Sequence, residues 1–183
     1  MTEPPSRAAA DEQAERLYAR LLARLGLGHV TCAACSRALL PPPFNWESYT
    51  YTQAGGQSWT WDIACARAMA ARHSASERLV LDPAEIAAWL AGHGQVDEGH
   101  LQHIPPDRLD EPVLLAPVPD GEGHVLINGA HRATLRIRAG LSVDACLLSV
   151  VESALAIDVV PLAMHRVAQE LRREGLLPGD LRP

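Results

Sequence analysis

The chain has 183 residues, 48% of them hydrophobic, and a formal net charge of -6 at pH 7. That apolar content suffices for a buried core in one large domain or two small ones, and no apolar run reaches the roughly 18 residues of a membrane-spanning helix. The acidic balance argues against nucleic-acid binding through bulk charge, because duplex affinity comes largely from phosphate neutralisation.

The opening Met1-Thr2-Glu3-Pro4-Pro5 lacks the basic and apolar regions of a secretory signal, so the expected location is the cytoplasm. Residues 1–10 read as a loose, Pro- and Ala-rich end. A helix is expected next, with Leu17, Tyr18, Leu21, Leu22 and Leu25 at helical spacing and Gly26 and Gly28 as its stop.

Aromatic residues make up only 4% of the chain, yet Phe44, Trp46, Tyr49, Tyr51, Trp59 and Trp61 crowd one window. Tyr49-Thr50-Tyr51-Thr52 and Ser58-Trp59-Thr60-Trp61 alternate with period two around Ala54-Gly55-Gly56, which predicts a β-hairpin. A helix is predicted from Asp62, as N-cap, to about His73.

Cys32-Ala33-Ala34-Cys35 precedes this hairpin, and Cys65 follows Asp62 by three residues. In a reducing compartment a close Cys pair suggests metal chemistry more than a disulfide. A knuckle, a hairpin and a helix carrying a second ligand pair in its first turn resemble a treble-clef zinc finger. Cys32, Cys35, Asp62 and Cys65 are then the expected ligands of a structural Zn2+, with His29 as the alternative to Asp62. The competing reading makes Asp62 only a helix cap and Cys65 a core residue. The aromatics read as core before they read as a base-stacking platform.

A second unit begins near Leu79. Asp82-Pro83-Ala84-Glu85 has the form of a helix start, with Ile86, Trp89 and Leu90 on the inner face. The stretch Gln95 to Pro106 reads as a loop. Its His100 and His103, with His93 before it, read as solvated loop residues first and as proton carriers second. Val113–Ala116 and Val125–Ile127 are predicted buried strands joined by a Pro-Asp-Gly-Glu-Gly turn. A helix from about Ala130 to Ala139, a strand from Val143 to Leu148 with Cys146 as an inert core thiol, and a helix from about Pro161 to Glu174 complete the pattern.

The most informative segment is Asn128-Gly129-Ala130-His131-Arg132, where a buried strand runs through a glycine into a helix. Helix starts present unpaired N–H groups and the positive end of a dipole, glycine permits close approach, and His and Arg add donors for phosphate oxygens. Arg136 and Arg138 extend the positive region. These five residues are the expected phosphate- or nucleotide-binding site.

Residues 79–150, with Gly-Ala-His-Arg between strand and helix, resemble the ParB/sulfiredoxin superfamily. The resemblance implies that Gly129, His131 and Arg132 contact nucleotide phosphate. It also implies a small mixed-sheet α+β domain, here preceded by a helix and a zinc-knuckle, hairpin and helix module. The expected divisions are 1–28 (tail and helix), 29–76 (zinc module), 77–160 (ParB/sulfiredoxin-like domain) and 161–183 (C-terminal helix and tail). Ala130 stands where sulfiredoxins carry their catalytic Cys, so sulfinic-acid reduction by that mechanism is not expected. About thirty residues follow the core, too few for the helix-turn-helix domain of partitioning proteins. Some relatives transfer phosphate with a carboxylate, for which Glu85, Asp97 and Glu98 are the candidate acids.

Two functions follow as expectations. One is a nucleotide-dependent phosphohydrolase or phosphotransferase, using a nucleotide with Mg2+. The other is a non-catalytic module that binds nucleic acid or a protein partner and carries a structural zinc. Neither involves a membrane.

Overall fold

The computed structural model describes residues 16, 19–21, 23–26, 40, 44–72, 77–93, 96–119, 121 and 123–176. Cys32, Cys35 and His29 lie outside them, as does most of the expected N-terminal helix. The described positions of that helix, Arg16, 19–21 and 23–24, are helical.

Among the described residues the chain is a mixed α+β protein with two sheets and, besides the described part of that first helix, six α-helices. In chain order these are β1 (Ser48–Thr52), β2 (Ser58–Asp62), α1 (Ile63–Arg72), β3 (Glu77–Leu81), α2 (Pro83–His93), α3 (Glu98–Leu101), β4 (Val113–Pro117), β5 (His124–Asn128), α4 (Ala130–Arg138), β6 (Val143–Leu147), α5 (Val150–Asp158) and α6 (Val160–Arg173). A 3-10 turn at Pro106–Arg108 precedes β4.

Contacts divide the chain into two units. One spans Trp46–Leu162; the other is formed by the residues before and after it. In this second unit Leu21, Leu40, Phe44, Val167 and Leu171 are buried, and Arg24 donates to the Glu174 carbonyl. The hairpin and α1, which the sequence sets apart as a zinc module, lie in the same unit as the larger sheet and share a core with it.

The hairpin forms as its alternation predicts. β1 and β2 pair antiparallel with Tyr49 opposite Trp61 and Tyr51 opposite Trp59. The Tyr51 and Trp59 rings stack at 6.3 Å and 14°, while Thr50 and Thr60 share a 2.9 Å hydroxyl bond. Trp61 is fully buried. The aromatics therefore serve as core: Tyr49, Tyr51 and Trp59 pack against the cluster that holds Trp61.

The larger sheet has the order β3-β6-β4-β5. β3 pairs antiparallel with β6, β6 runs parallel to β4, and β4 pairs antiparallel with β5. Period-two alternation sends the strand residues to opposite faces. Leu114, Ala116, Val125, Ile127 and Cys146 pack with Trp61, Ile63, Ala66 and Ala156. Val113, Leu126, Val143 and Ala145 pack with Ile86 and Ala133 from α2 and α4. β4 and β5 are thus covered on both faces, which accounts for their nearly continuous apolar runs, while the paired Val80 and Asp144 of β3 and β6 stay exposed.

Helix starts follow local chemistry. Asp82 Oδ1 accepts from Ala84 N at 2.7 Å, capping α2. Ser149 and Glu152 form a capping box at the start of α5. No helix among the described residues is long and apolar enough to cross a membrane.

Candidate functional site

The β5–α4 junction is built as the sequence suggests. Gly129 is the N-cap of α4 with φ 98°, a backbone that only glycine adopts without strain. The room left by its missing Cβ is not open. A Cβ built there would lie 2.8 Å from Val113 Cγ1 and 3.0 Å from Arg132 Nη2. Glycine at this position therefore serves the turn and the packing of Val113 and Arg132.

The five predicted site residues divide between two neighbourhoods. His131 faces the α3 side: its Nε2 accepts from Asp97 N at 3.3 Å, and its ring meets that of His100 edge-on at 4.5 Å. Burial, and the charge of His100, hold the His131 imidazole below the usual range, against a smaller pull from Asp97. Burial depresses His100 likewise, with Asp97 opposing it. Both rings are consequently neutral near pH 7. His103 is exposed, and the side chain of His93 lies outside the described residues.

Arg132 turns the other way. It is 7% exposed, and its Nη2 donates to Pro112 O at 3.2 Å and to Asn128 Oδ1 at 3.1 Å. Its Nη1 lies 3.7 Å from Glu111 Oε2. Asn128 in turn donates to Glu47 Oε1 at 3.2 Å. Burial pulls the Arg132 guanidinium below its ordinary pKa, and Glu111 opposes that shift.

Beside Arg132 and Asn128 lies a hollow of about 180 Å3, lined also by Arg67 of α1, Arg78 of β3, Glu111 and Cys146. Three guanidiniums, those of Arg67, Arg108 and Arg132, meet the carboxylate of Glu111. Glu111 Oε2 lies 3.3 Å from Arg67 Nη2 and 3.3 Å from Arg108 Nη2. Partial burial raises the Glu111 pKa. The Arg108 hydrogen bond and the charges of Arg108, Arg67 and Arg132 outweigh it and hold the carboxyl below the usual carboxylate range. The guanidiniums, on elements far apart in sequence, give the hollow a net positive charge of the kind that suits an anion.

No protein-family model, curated protein or solved structure matches this chain.

The candidate acids are placed elsewhere. Asp97 caps α3, accepting from Gly99 N at 2.9 Å. Glu98 pairs with Arg138 at 2.5 Å and is held below the carboxylate range chiefly by that hydrogen bond. Glu85 is exposed on α2. Arg136 is tied to Asp110 at 2.8 Å and to Ser142 O at 2.6 Å. Arg67, Arg78 and Glu111, which reasoning from the sequence missed, carry no local motif; only the tertiary fold assembles them.

Asp62, an expected zinc ligand, is 7% exposed. Its Oδ1 accepts from Cys65 N at 2.8 Å and its Oδ2 from Trp46 Nε1 at 3.0 Å. Each oxygen accepts from one protein donor, as the capping reading expects, and each keeps a second lone pair. Cys65 is a half-buried free thiol whose pKa is raised by burial and by the Asp62 charge. Among the described residues no cluster of three or more His, Cys, Asp or Glu side chains is arranged to hold a metal. Cys146 is fully buried, as expected of a core thiol.

Proposed function

We propose that this chain is a phosphate-binding protein of ParB/sulfiredoxin-like architecture. Its ligand is a nucleotide or a related phosphorylated small molecule, held at the hollow between Arg67, Arg78 and Arg132. The succession β3, α2, β4, β5, α4 and β6, with Asn128–Arg132 at the β5–α4 junction, supports the architectural reading. The observation that carries the function is the excess of guanidinium over carboxylate at Glu111. Within this reading Asn128 and Arg132 keep the roles the sequence suggests for them. Gly129 acts by shaping the turn, and His131 belongs to the neighbouring cluster with His100.

Binding is better supported than chemistry. Phosphoryl transfer or hydrolysis with a nucleotide and Mg2+ requires a group that takes a proton from the attacking oxygen. Glu111 is held ionised by its arginines and is a weak base for that reason. Asp97 and Glu98 are engaged in a cap and an ion pair. His131 faces the α3 side, away from the hollow, so the phosphohydrolase or phosphotransferase reading leaves the proton acceptor unassigned. In the non-catalytic reading the site docks a phosphorylated partner. A structural zinc on Cys32, Cys35, Asp62 and Cys65, with His29 as the alternative to Asp62, belongs to the same proposal.

Thermal-shift titration with nucleoside mono-, di- and triphosphates, with and without Mg2+, tests the function. Stabilisation that is lost in Arg78→Gln and Arg132→Gln supports it. Equal shifts in both variants and the unsubstituted chain overturn it. A phosphate-release assay on the same samples separates catalysis from binding.

A further inference from the structure

We propose that the Glu111 carboxylate is a built-in stand-in for the ligand's anionic group, and that the hollow takes the dianionic phosphomonoester of a small molecule, which displaces this carboxylate from Arg67 and Arg132. The inference rests on the phosphate-binding reading and extends it to the class of ligand and its mode of entry.

The geometry around Glu111 carries the argument. One oxygen, Oε2, faces Arg67, Arg108 and Arg132 at 3.3, 3.3 and 3.7 Å. A phosphate brings three oxygens to such a cluster, each able to accept from a different guanidinium. The separation from Arg132 is longer than a hydrogen bond, and Arg132 Nε, although buried, has no acceptor among the described residues. A buried guanidinium N–H without an acceptor is costly, so a ligand oxygen that reached it would gain more than at an exposed arginine.

Charge selects the ester. Arg67, Arg78 and Arg132 line the hollow against the single carboxylate of Glu111. With Glu111 displaced onto Arg108 the hollow presents three positive charges, toward which a monoester brings about -1.5 to -2 near neutral pH. A diester carries one negative charge and leaves the cluster undercompensated. Displacement does not strand Glu111. Arg108 stands outside the hollow's lining, binds the same carboxylate from three residues away, and stays with it when the other two arginines turn to the ligand. A carboxylate that always has a partner avoids the penalty of an unpaired, partly buried charge.

Size and surroundings set what stays outside. At about 180 Å3 the hollow is smaller than the roughly 300–1,000 Å3 typical of sites that enclose a drug-sized molecule. The phosphoryl group therefore enters, and its carrier remains at the mouth. The formal charge of -6 disfavours a polyanionic carrier, which points to a small molecule.

The test is calorimetric titration of the full chain and its Glu111→Gln variant with methyl phosphate and dimethyl phosphate. Methyl phosphate is expected to bind Glu111→Gln on the order of tenfold more tightly, because a competing charge is gone. Dimethyl phosphate is expected to bind both proteins more weakly. Glu111→Asp, whose shorter side chain draws the carboxylate back, tightens binding in the same direction and covers the case in which the Gln variant misfolds. Displacement of methyl phosphate by adenosine 5′-monophosphate or by free phosphoserine identifies the carrier; displacement by neither overturns the proposal. So does unchanged or weaker binding in both Glu111 variants, or equal affinity for the two esters. In that case, if the unsubstituted chain still binds methyl phosphate, the proposal fails while the phosphate-binding reading stands. If no monoester binds any of the three proteins, the phosphate-binding reading fails with it. Binding of a 5′-phosphorylated oligonucleotide where no small ester binds replaces the small molecule with nucleic acid.

Discussion

Trp61 donates its indole N–H to Ser153 Oγ at 2.9 Å, joining β2 to α5 across 92 positions of sequence inside the core. The hydroxyl passes its own hydrogen on to Pro117 O at 3.4 Å, so both groups are satisfied without water. Replacing Ser153 by Ala leaves the Trp61 N–H buried without an acceptor. The expected cost is about 1–3 kcal/mol, read as a lower midpoint in urea unfolding at unchanged slope. A midpoint within error of the unsubstituted chain would mean that the indole finds another partner.

Gly129→Ala should be among the more damaging single-methyl changes in this protein. The φ of 98° disfavours any side chain, and the added Cβ meets Val113 and Arg132 at 3.1 Å or less. A loss of about 2 kcal/mol or more is expected. Pairing it with Val113→Ala relieves the contact but not the backbone strain, so thermal unfolding of the double variant should show only partial recovery.

Asp62→Ala separates cap from ligand. Loss of the bonds to Cys65 N and Trp46 Nε1 should cost about 1–2 kcal/mol. Zinc content, measured by atomic emission on purified protein, should be unchanged by this substitution and reduced by Cys32→Ser. Equal metal loss in both variants would make Asp62 a ligand as well as a cap.

Stability should fall as the solution is acidified through the histidine range. His100 and His131 both have depressed folded-state pKa values, so folding disfavours their protonation. Their contribution is fully present above the unfolded value of about 6.5 and is lost as pH drops through the lower folded values. Protonated His131 also can no longer accept from Asp97 N through Nε2. Asp97 and Glu47 oppose the effect at His100, while His103 and Arg108 reinforce it. The slope of melting temperature between pH 7 and 5 should flatten in His131→Gln; an unaltered slope would move the effect to other groups.

Much of the secondary structure was legible because its signals are local. The period-two aromatics, Asp82 before Pro83, and the strands at Val113 and Val125 each declare themselves within a few residues. α5 did not, although Ser149 and Glu152 spell its capping box. Its Val150 and Val151 are 73% and 68% exposed, so its apolar residues trace no single stripe and its periodicity gives no sign of a helix. β3 was not foreseen, since only three of its five residues, Leu79, Val80 and Leu81, are apolar. The Asn128–Arg132 segment could be found as a strand–turn–helix junction. Which way Arg132 turns depended on Glu111, Pro112 and Asn128, and the hollow on Arg67 and Arg78. Residues so separated meet only once the sheet has formed.

The sheet's strand order also bears on synthesis. β6, the last strand to leave the ribosome, sits between β3 and β4. Until Val143–Leu147 emerges, the β4–β5 hairpin and the lone β3 have no strand to bridge them, and each exposes an unpaired backbone edge. A nascent chain halted shortly before that point would be a good client for a chaperone, and the core closes only when α5 has followed β6 with Ser153 and Ala156.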